Sequence, residues 1–170
     1  MRVGTGYDSH RFSASRPLVL GGITIPDSPG LSGHSDGDAV LHAVTDALLG
    51  AASLGSIGES FPDDDPAYAG ADSGQLLTRV MEMLEADGFK VVNADITVIT
   101  EQPRIQPYAR SMEDRIAGLL GVTAREVCVK GKTNEGMGWI GRKEGLAVMA
   151  TVLINRNRKP DAPDVNRRDC

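Results

Sequence analysis

Apolar positions recur with a period of two in some stretches of the chain and with a helical period in others. Stretches of the two kinds follow one another along the sequence. Residues 2–8 alternate weakly and predict a strand, while residues 18–25 form two short apolar runs around Gly21 and Gly22, as is typical of a hairpin. Helical spacing predicts helices over residues 36–54, 72–87 and 107–120. Apolar, β-branched runs predict further strands over residues 89–100, 126–133 and 145–154.

The predicted order of elements is β-β-β-α-α-β-α-β-β, with helices between strands and hairpins at either end. Such an order favours an α+β fold with one mixed β-sheet covered on one side by helices. Residues 1–155 are predicted to form one domain. Residues 156–170 are charged, carry Pro160 and Pro163 and have almost nothing to bury, so we expect a disordered C-terminal tail.

Composition narrows the class of protein. The chain has 170 residues, of which 41% are hydrophobic and only 4% aromatic, so the core is expected to be mostly aliphatic. A net charge of -5 argues against a general nucleic-acid binder, because such proteins usually carry a basic surface. Two cysteines, Cys128 and Cys170, cannot form a disulfide framework, and neither a signal peptide nor a long apolar run is apparent. We therefore expect a reduced, cytoplasmic protein, with Cys128 as a small core residue.

Three side chains in the first quarter of the chain are candidate metal ligands. Asp8 and His10 lie two apart on a predicted strand, so their side chains leave the same face. Asp38, His42 and Asp46 follow at helical spacing and predict one polar stripe on the helix. Alone, either pattern also fits a solvated strand end or a wet helix face. Three N and O ligands with an open position are typical of a catalytic zinc site, in which Asp38 or Asp46 could orient His42.

Three other segments allow two interpretations each. His34 and Ser35 precede the first helix and could bind phosphate there, or Ser35 could simply cap the helix. FPDDD at residues 61–65 fits either a solvated acidic turn or a lid over a polyol. KGKTNEGMGWIGRKEG at residues 130–145 fits either a glycine-rich hairpin or a phosphate- and Mg²⁺-binding loop.

Six blocks of the chain match, in order, the blocks of one enzyme family. They are GYDSHRF (6–12), LSGHSDGDAVLHAVTDALLGAASLGSIG (31–58), FPDDDP (61–66), ADS (71–73), EQPRI (101–105) and KTNEGMGWIGRKEG (132–145). The sequence thereby resembles 2-C-methyl-D-erythritol 2,4-cyclodiphosphate synthase of the non-mevalonate isoprenoid route, over about residues 1–155. It departs from the frequent family residues at three positions, Ser56, Lys132 and Trp139.

The resemblance implies zinc bound by Asp8, His10 and His42, and a Mg²⁺ or Mn²⁺ ion bound by Glu135. It implies catalytic roles for His34 and Thr133. The substrate-binding residues that it implies are Asp8, Ser9, His10, His34, Ser35, Ser56, Ile57, Gly58, Phe61, Pro62, Asp63, Asp64, Asp65, Thr100, Glu101, Gln102, Pro103, Arg104, Lys132, Thr133, Asn134, Glu135, Trp139 and Arg142.

The resemblance also implies a homotrimer around a central hydrophobic channel, with Tyr7 and Arg142 near that channel and active sites between subunits. The implied reaction converts 4-diphosphocytidyl-2-C-methyl-D-erythritol 2-phosphate into the 2,4-cyclodiphosphate and CMP. It is a phosphorus–oxygen lyase reaction, in which the 2-phosphate attacks the β-phosphate with the help of metals. The alternatives are a zinc-dependent phosphohydrolase and a non-catalytic trimeric small-molecule binder.

Overall fold

The computed structural model describes residues 1–33, 35–62 and 70–156. Its strands are β1 (Arg2–Leu20), β2 (Ile23–Leu31), β3 (Phe89–Ile99), β4 (Val127–Lys132) and β5 (Gly145–Arg156). Its helices are α1 (Ala39–Ala52), α2 (Ile57–Ser60), α3 (Ser73–Ala86), α4 (Gln106–Leu120) and α5 (Gly138–Gly141), with a 3₁₀ turn at Ala124–Glu126. The predicted site residues His34, Asp63, Asp64 and Asp65 lie outside the described residues, as does the predicted tail beyond Arg156.

The five strands form one sheet in the order β2-β1-β5-β3-β4. Only β3 and β4 pair in parallel, and α4 lies between them in sequence, whereas the other neighbours are antiparallel. The predicted α+β class with a mixed sheet is thereby confirmed. No helix in the described part of the chain has the length and apolar character needed to cross a membrane.

The first strand is longer than predicted. We expected a strand over residues 2–8 that is separate from the first strand of the hairpin, but β1 is continuous and changes partner along its length. Its first half pairs with β5 and its second half pairs with β2, with a register shift between Ser13 and Pro17. The polar residues at this shift interrupt the apolar–polar alternation, so the sequence pattern does not show that the strand continues. The predicted hairpin is confirmed, because Gly21 and Gly22 join β1 to β2 and both have positive φ.

The first helix begins later than predicted. Asp38 rather than Ser35 is its N-cap, since the Asp38 carboxylate accepts hydrogen bonds from the backbone N–H groups of Val40 and Leu41. The same carboxylate accepts from the N–H groups of Gly21 and Gly22 in the hairpin. Asp38 is fully buried, so its predicted place on a wet stripe was wrong. Burial raises the pKa of this carboxyl to about 6, against the opposing effect of the backbone donors.

Glycines in β1 allow α1 to lie directly on the sheet. A Cβ atom at Gly4 would lie 2.0 Å from the carbonyl oxygen of Ala47, and one at Gly6 would lie 2.0 Å from that of Ala43. The core on this side is aliphatic, as expected from the composition. The helices cover this face of the sheet, whereas side chains on its other face, such as Tyr7 and Met149, are exposed.

Residues that favour helix ends stand at the ends of α3 and α4. Asp72 accepts the backbone N–H of Gln75 and caps α3, and Gly121 ends α4 in a left-handed conformation. In β4, Val127 and Val129 are buried, but Cys128 between them is exposed. The prediction of Cys128 as a core residue was wrong, because the pleat turns it to the opposite face from its neighbours.

Candidate active site

Asp8, His10 and His42 meet in space although they come from two elements. Asp8 and His10 lie on β1 and His42 lies on the first turn of α1. Each offers one potential ligand atom, and the three atoms lie within 4.8 Å of one another. Asp8 Oδ2 is 2.9 Å from His10 Nε2 and 3.1 Å from His42 Nδ1. The predicted convergence of these three residues is therefore confirmed.

His10 is held in the orientation that a metal ligand needs. Its Nδ1 lies 2.6 Å from the carbonyl oxygen of Ser32, to which only a protonated nitrogen can donate. A neutral imidazole then has its lone pair on Nε2. That atom is buried and, despite lying 2.9 Å from Asp8 Oδ2, lacks a partner of good hydrogen-bond geometry within the described residues. A buried nitrogen without a hydrogen bond, next to a carboxylate and a second imidazole, fits a divalent metal site.

The electrostatics of Asp8 and His10 agree with their proximity. Burial opposes ionisation of Asp8, but the close contacts and charges of His10 and His42 outweigh it and hold the pKa of Asp8 well below its usual range. The close approach of the Asp8 carboxylate raises the pKa of His10, although burial opposes that rise. The shift of Asp8 favours a charged carboxylate, which is the form that binds a cation. The shift of His10 favours the protonated imidazole, which has to lose its proton before it can bind a metal.

His42 is oriented by residues that the sequence did not single out as its partners. Its Nε2 lies 2.9 Å from Ser73 Oγ and 3.0 Å from Ser35 Oγ. Ser73 Oγ in turn makes a short hydrogen bond to Asp36 Oδ1. We had expected Asp38 or Asp46 in this role, but Asp38 caps α1 and Asp46 accepts the backbone N–H of Ile57.

A cavity of about 350 Å³ lies between the start of α4 and the end of β4. Its lining includes six of the predicted substrate-binding residues: Thr100, Glu101, Pro103, Arg104, Lys132 and Thr133. Lys130 and Gly131, which belong to the predicted glycine-rich segment, also line the cavity. The other lining residues were not predicted to bind substrate: Ile105, Gln106, Ala109 and Val129. Gln102 does not line it, and its carbonyl oxygen instead accepts a 2.6 Å hydrogen bond from the hydroxyl of Thr100.

The side chain of Glu101, which lines this cavity, holds the loop after β4 by hydrogen bonds. Glu101 Oε1 accepts from the backbone N–H groups of Asn134 and Gly136, each at 3.0 Å. Glu135, the predicted ligand of a second metal, has a positive φ and accepts a 2.8 Å hydrogen bond from the hydroxyl of Thr133. Within the described residues, the Asp8, His10 and His42 cluster shares no member with the cavity lining.

The remaining predicted residues belong neither to the cluster of Asp8, His10 and His42 nor to the lining of the 350 Å³ cavity. Ser56 directly precedes α2, and its hydroxyl donates to Glu59, while Ile57 and Gly58 are the first two residues of that helix. Phe61 is only 8% exposed and packs in the hydrophobic core, with Pro62 next to it in sequence. The residues around a smaller cavity of about 210 Å³ are Ser9, His10, Arg11, Trp139 and Glu144, and Arg142 donates to Glu144 at 2.7 Å.

Comparisons with known proteins agree with this arrangement. A protein from Gemmatimonas aurantiaca named 2-C-methyl-D-erythritol 2,4-cyclodiphosphate synthase is 60% identical over 91% of this chain and 93% of its own length. A protein of the same name from Symbiobacterium thermophilum is 55% identical over 91% of this chain and 98% of its own length.

Two solved structures share the fold. The bifunctional IspDF of Campylobacter jejuni superposes with a TM-score of 0.88 at 40% identity, over 92% of this chain and 42% of that one. The CDP complex of Plasmodium falciparum IspF superposes with a TM-score of 0.81 at 30% identity, over 92% of this chain and 96% of that one. The model of the YgbB family matches residues 1–155, so this chain belongs to the YgbB family.

Proposed function

We propose that this chain is a cyclodiphosphate synthase of the phosphorus–oxygen lyase class, acting in non-mevalonate isoprenoid precursor synthesis. Its substrate would be 4-diphosphocytidyl-2-C-methyl-D-erythritol 2-phosphate, and its products 2-C-methyl-D-erythritol 2,4-cyclodiphosphate and CMP. The observation that carries this proposal is the convergence of Asp8, His10 and His42 with an unpaired buried nitrogen in a family whose curated members carry that name.

The reaction joins two anionic groups of one molecule. An oxygen of the 2-phosphate bonds to the β-phosphorus, the bond from that phosphorus to the bridging oxygen breaks, and CMP leaves with the bonding electrons. No water is consumed. Because both phosphates are negative, their approach is opposed by Coulomb repulsion. Catalysis therefore requires positioning and positive charge rather than a strong base.

The donor set of Asp8, His10 and His42 fits zinc. Two imidazoles and a carboxylate with an open position make a three-ligand site of the catalytic zinc type. Zinc bound there would supply positive charge to a phosphoryl oxygen. The protein's own part is to hold the two ring nitrogens and the ionised carboxylate of Asp8 together, with Ser35 available beside them for a hydrogen bond to phosphate.

We propose the cavity lined by Thr100, Arg104 and Lys132 as the site of the cytidine diphosphate half of the substrate. Its volume of about 350 Å³ lies within the usual range for small-molecule sites. An IspF from Plasmodium falciparum has been solved with CDP, which supports a nucleotide there. Thr133 would contact the diphosphate, and Glu135, held by the Thr133 hydroxyl, would bind Mg²⁺ or Mn²⁺.

The residues outside the described ranges complete the proposed roles. His34 would contact the substrate phosphates beside Ser35. Asp63, Asp64 and Asp65 would contact the methylerythritol hydroxyls together with the segment around Ser56. A cytoplasmic location and a disordered tail beyond Arg156 stay predictions from the sequence.

We also propose that the active site is completed in a homotrimer around a central channel. The metal cluster and the nucleotide cavity have no residue in common, so a neighbouring subunit would bring its cavity to this cluster. The sheet face opposite the helices exposes Val3, Tyr7 and Met149, which are 65%, 56% and 46% accessible. Apolar side chains at that exposure favour burial against other subunits.

Phosphorus NMR of the purified protein with the diphosphocytidyl substrate, Zn²⁺ and Mg²⁺ tests the reaction. We expect signals of CMP and of a cyclic diphosphate, and no ¹⁸O in either product when the reaction runs in labelled water. The matched control, His42→Ala, should keep its fold and lose turnover. An open-chain product that carries ¹⁸O would identify a phosphohydrolase instead, and substrate binding without turnover would identify a non-catalytic binder.

A further inference from the structure

We infer that Asp36 and Ser73 form a positioning pair that keeps the proton of His42 on Nε2, so that Nδ1 faces the metal as a ligand. The inference rests on the proposed metal binding by Asp8, His10 and His42. It assigns a role to two residues that do not contact the metal themselves. Both reach His42 from outside its own helix, since Asp36 precedes α1 and Ser73 begins α3.

The two ring nitrogens of His42 face different surroundings. Nδ1 lies on the side of the cluster, 3.1 Å from Asp8 Oδ2, whereas Nε2 lies 2.9 Å from Ser73 Oγ. A neutral imidazole carries one proton, and only the other nitrogen then has a lone pair for a metal. Ligation through Nδ1 therefore requires the proton on Nε2.

The direction of the Ser73 hydroxyl decides where that proton lies. Ser73 Oγ is in short hydrogen-bond contact with Asp36 Oδ1, and a carboxylate accepts hydrogen bonds without donating them. The single proton of the hydroxyl is thereby committed to Asp36. Ser73 Oγ consequently presents a lone pair to His42, and Nε2 must be the donor in the contact between them.

Asp36 is itself fixed by three backbone contacts. Its Oδ2 accepts from the N–H of Ser73 at 3.1 Å and its Oδ1 accepts from the N–H of Asp38 at 3.1 Å. Its own N–H donates to the carbonyl oxygen of Ala71 at 3.3 Å. Ser73 is 1% exposed, so water cannot readily replace either partner. The hydrogen-bonded chain from Asp36 through Ser73 to His42 is thus rigid and directional.

The other two partners of His42, Asp8 and Ser35, do not place its proton on Nε2. Asp8 Oδ2 lies close enough to Nδ1 to attract the proton to the metal side of the ring. Ser35 Oγ accepts the N–H of Gly37 at 3.2 Å, and its own proton leaves it able to donate to Nε2 or accept from it. Asp36 and Ser73 together oppose the pull of Asp8.

Two substitutions test the pair, each judged by zinc affinity in competition with a chromophoric chelator. Ser73→Ala removes the acceptor. Asp36→Asn removes the negative charge and one of the two acceptor oxygens, which weakens the hold on the Ser73 hydroxyl proton. That proton can then point at Nε2, which favours the wrong tautomer. We expect each variant to bind zinc about 10- to 100-fold more weakly than the unaltered chain. The double variant should lose little more than either single one, because both act through one hydrogen-bonded chain.

Thr78→Val is the matched control. It also removes a hydroxyl from α3, one that donates to the carbonyl oxygen of Gly74 at 2.8 Å, and it should leave zinc affinity unchanged. Nitrogen NMR of the His42 ring supplies a readout that loss of stability alone would not alter. The Nε2–H form should dominate in the unaltered metal-free protein, and the Nδ1–H form should grow in Asp36→Asn.

Unchanged zinc affinity in both variants, or an unchanged His42 tautomer in Asp36→Asn, would overturn the inference. An unaltered chain without zinc affinity would overturn both the inference and the proposed metal use. Zinc binding that follows the expected pattern in a protein without cyclising activity would support the pair while contradicting the proposed reaction.

Discussion

Asp8 and His10 stabilise each other's charged forms, which links the stability of the metal-free protein to pH. The pKa of His10 is raised, so its contribution to the free energy of unfolding is complete below about 6.5 and is lost as pH rises through the higher folded value. The pKa of Asp8 is lowered, so its contribution is present above about 3.9 and is lost as pH falls through the lower folded value. We expect the pair to stabilise the protein most between these limits.

Urea unfolding in the presence of a chelator measures this dependence. The free energy of unfolding should fall as pH rises above about 6.5, and the fall should be smaller in His10→Gln, which cannot gain the proton. Equal slopes in the two proteins would show that His10 and Asp8 do not couple in the folded state.

The carboxylate of Asp38 joins α1 to the β1–β2 hairpin through four backbone N–H groups. Asp38→Asn replaces one acceptor oxygen by a donor and leaves buried N–H groups unpaired. We expect a loss of about 1–3 kcal/mol in the free energy of unfolding, measured with denaturant. Asp46→Asn, which affects one half-buried bond to Ile57, is the control and should cost less. Equal losses would contradict the assigned role of Asp38.

Single residues of the cluster were predictable where local spacing or the family blocks identified them. Asp8 and His10 share a strand face, and His42 follows within a helix. Asp36 and Ser73 were missed as partners because their approach depends on the packing of α3 beside α1, which no local period encodes. The predicted stripe was right for His42 and Asp46, which are half-buried on α1, and wrong for Asp38, which is buried as the N-cap of that helix.

Among the elements, the contact between α1 and β1 determines the geometry of the cluster formed by Asp8, His10 and His42. Gly6→Ala would place a methyl group 2.0 Å from the Ala43 carbonyl oxygen and push the helix from the strand. We expect a loss of about 1–3 kcal/mol in the free energy of unfolding, together with weaker zinc binding, because His42 would move away from Asp8.

Gly50→Ala in the same helix is the control for that substitution. A Cβ atom at Gly50 meets nothing within 4 Å, so alanine should leave zinc affinity unchanged and stabilise the helix by up to about 1 kcal/mol. Wild-type zinc affinity in Gly6→Ala would show that the distance between α1 and β1 does not limit metal binding.

Long, regular elements were predictable from the sequence, and short or irregular ones were not. The periods of α3, α4, β3 and β5 placed these elements within a few residues of their observed ends. The helices α2 and α5 have four residues each, too few to show a period. The continuity of β1 was hidden because the strand changes neighbour at a bulge of polar residues.

For the whole molecule, the exposed sheet face predicts association. Tyr7 and Met149 are directly opposite each other on β1 and β5, and both are exposed. Met149→Glu would place a charge in the proposed subunit interface, so sedimentation velocity should show a loss of trimer, with a parallel loss of cyclisation. Met83→Glu on α3, where the side chain is 39% exposed, is the control and should leave the trimer intact. A trimer that stays intact in Met149→Glu would place the subunit interface on another surface.

The overall class of the molecule followed from the order of predicted elements, because helices between strands favour one mixed sheet. The hairpin expected at the C-terminal end was wrong, since β4 and β5 are not neighbours in the sheet. Strand order did not follow, since β5 inserts between β1 and β3 through contacts far apart in sequence.

The alternation of β1 also constrains how the length of this strand can vary among related chains. Gly6, Asp8 and His10 face α1, while Tyr7 and Ser9 point the other way. Deleting one residue between Gly4 and Asp8 would exchange the two sets, carrying a tyrosine under the helix and a metal ligand out to the opposite face. Insertions and deletions should therefore be excluded here and tolerated near the bulge between Ser13 and Pro17, where the pairing register already shifts.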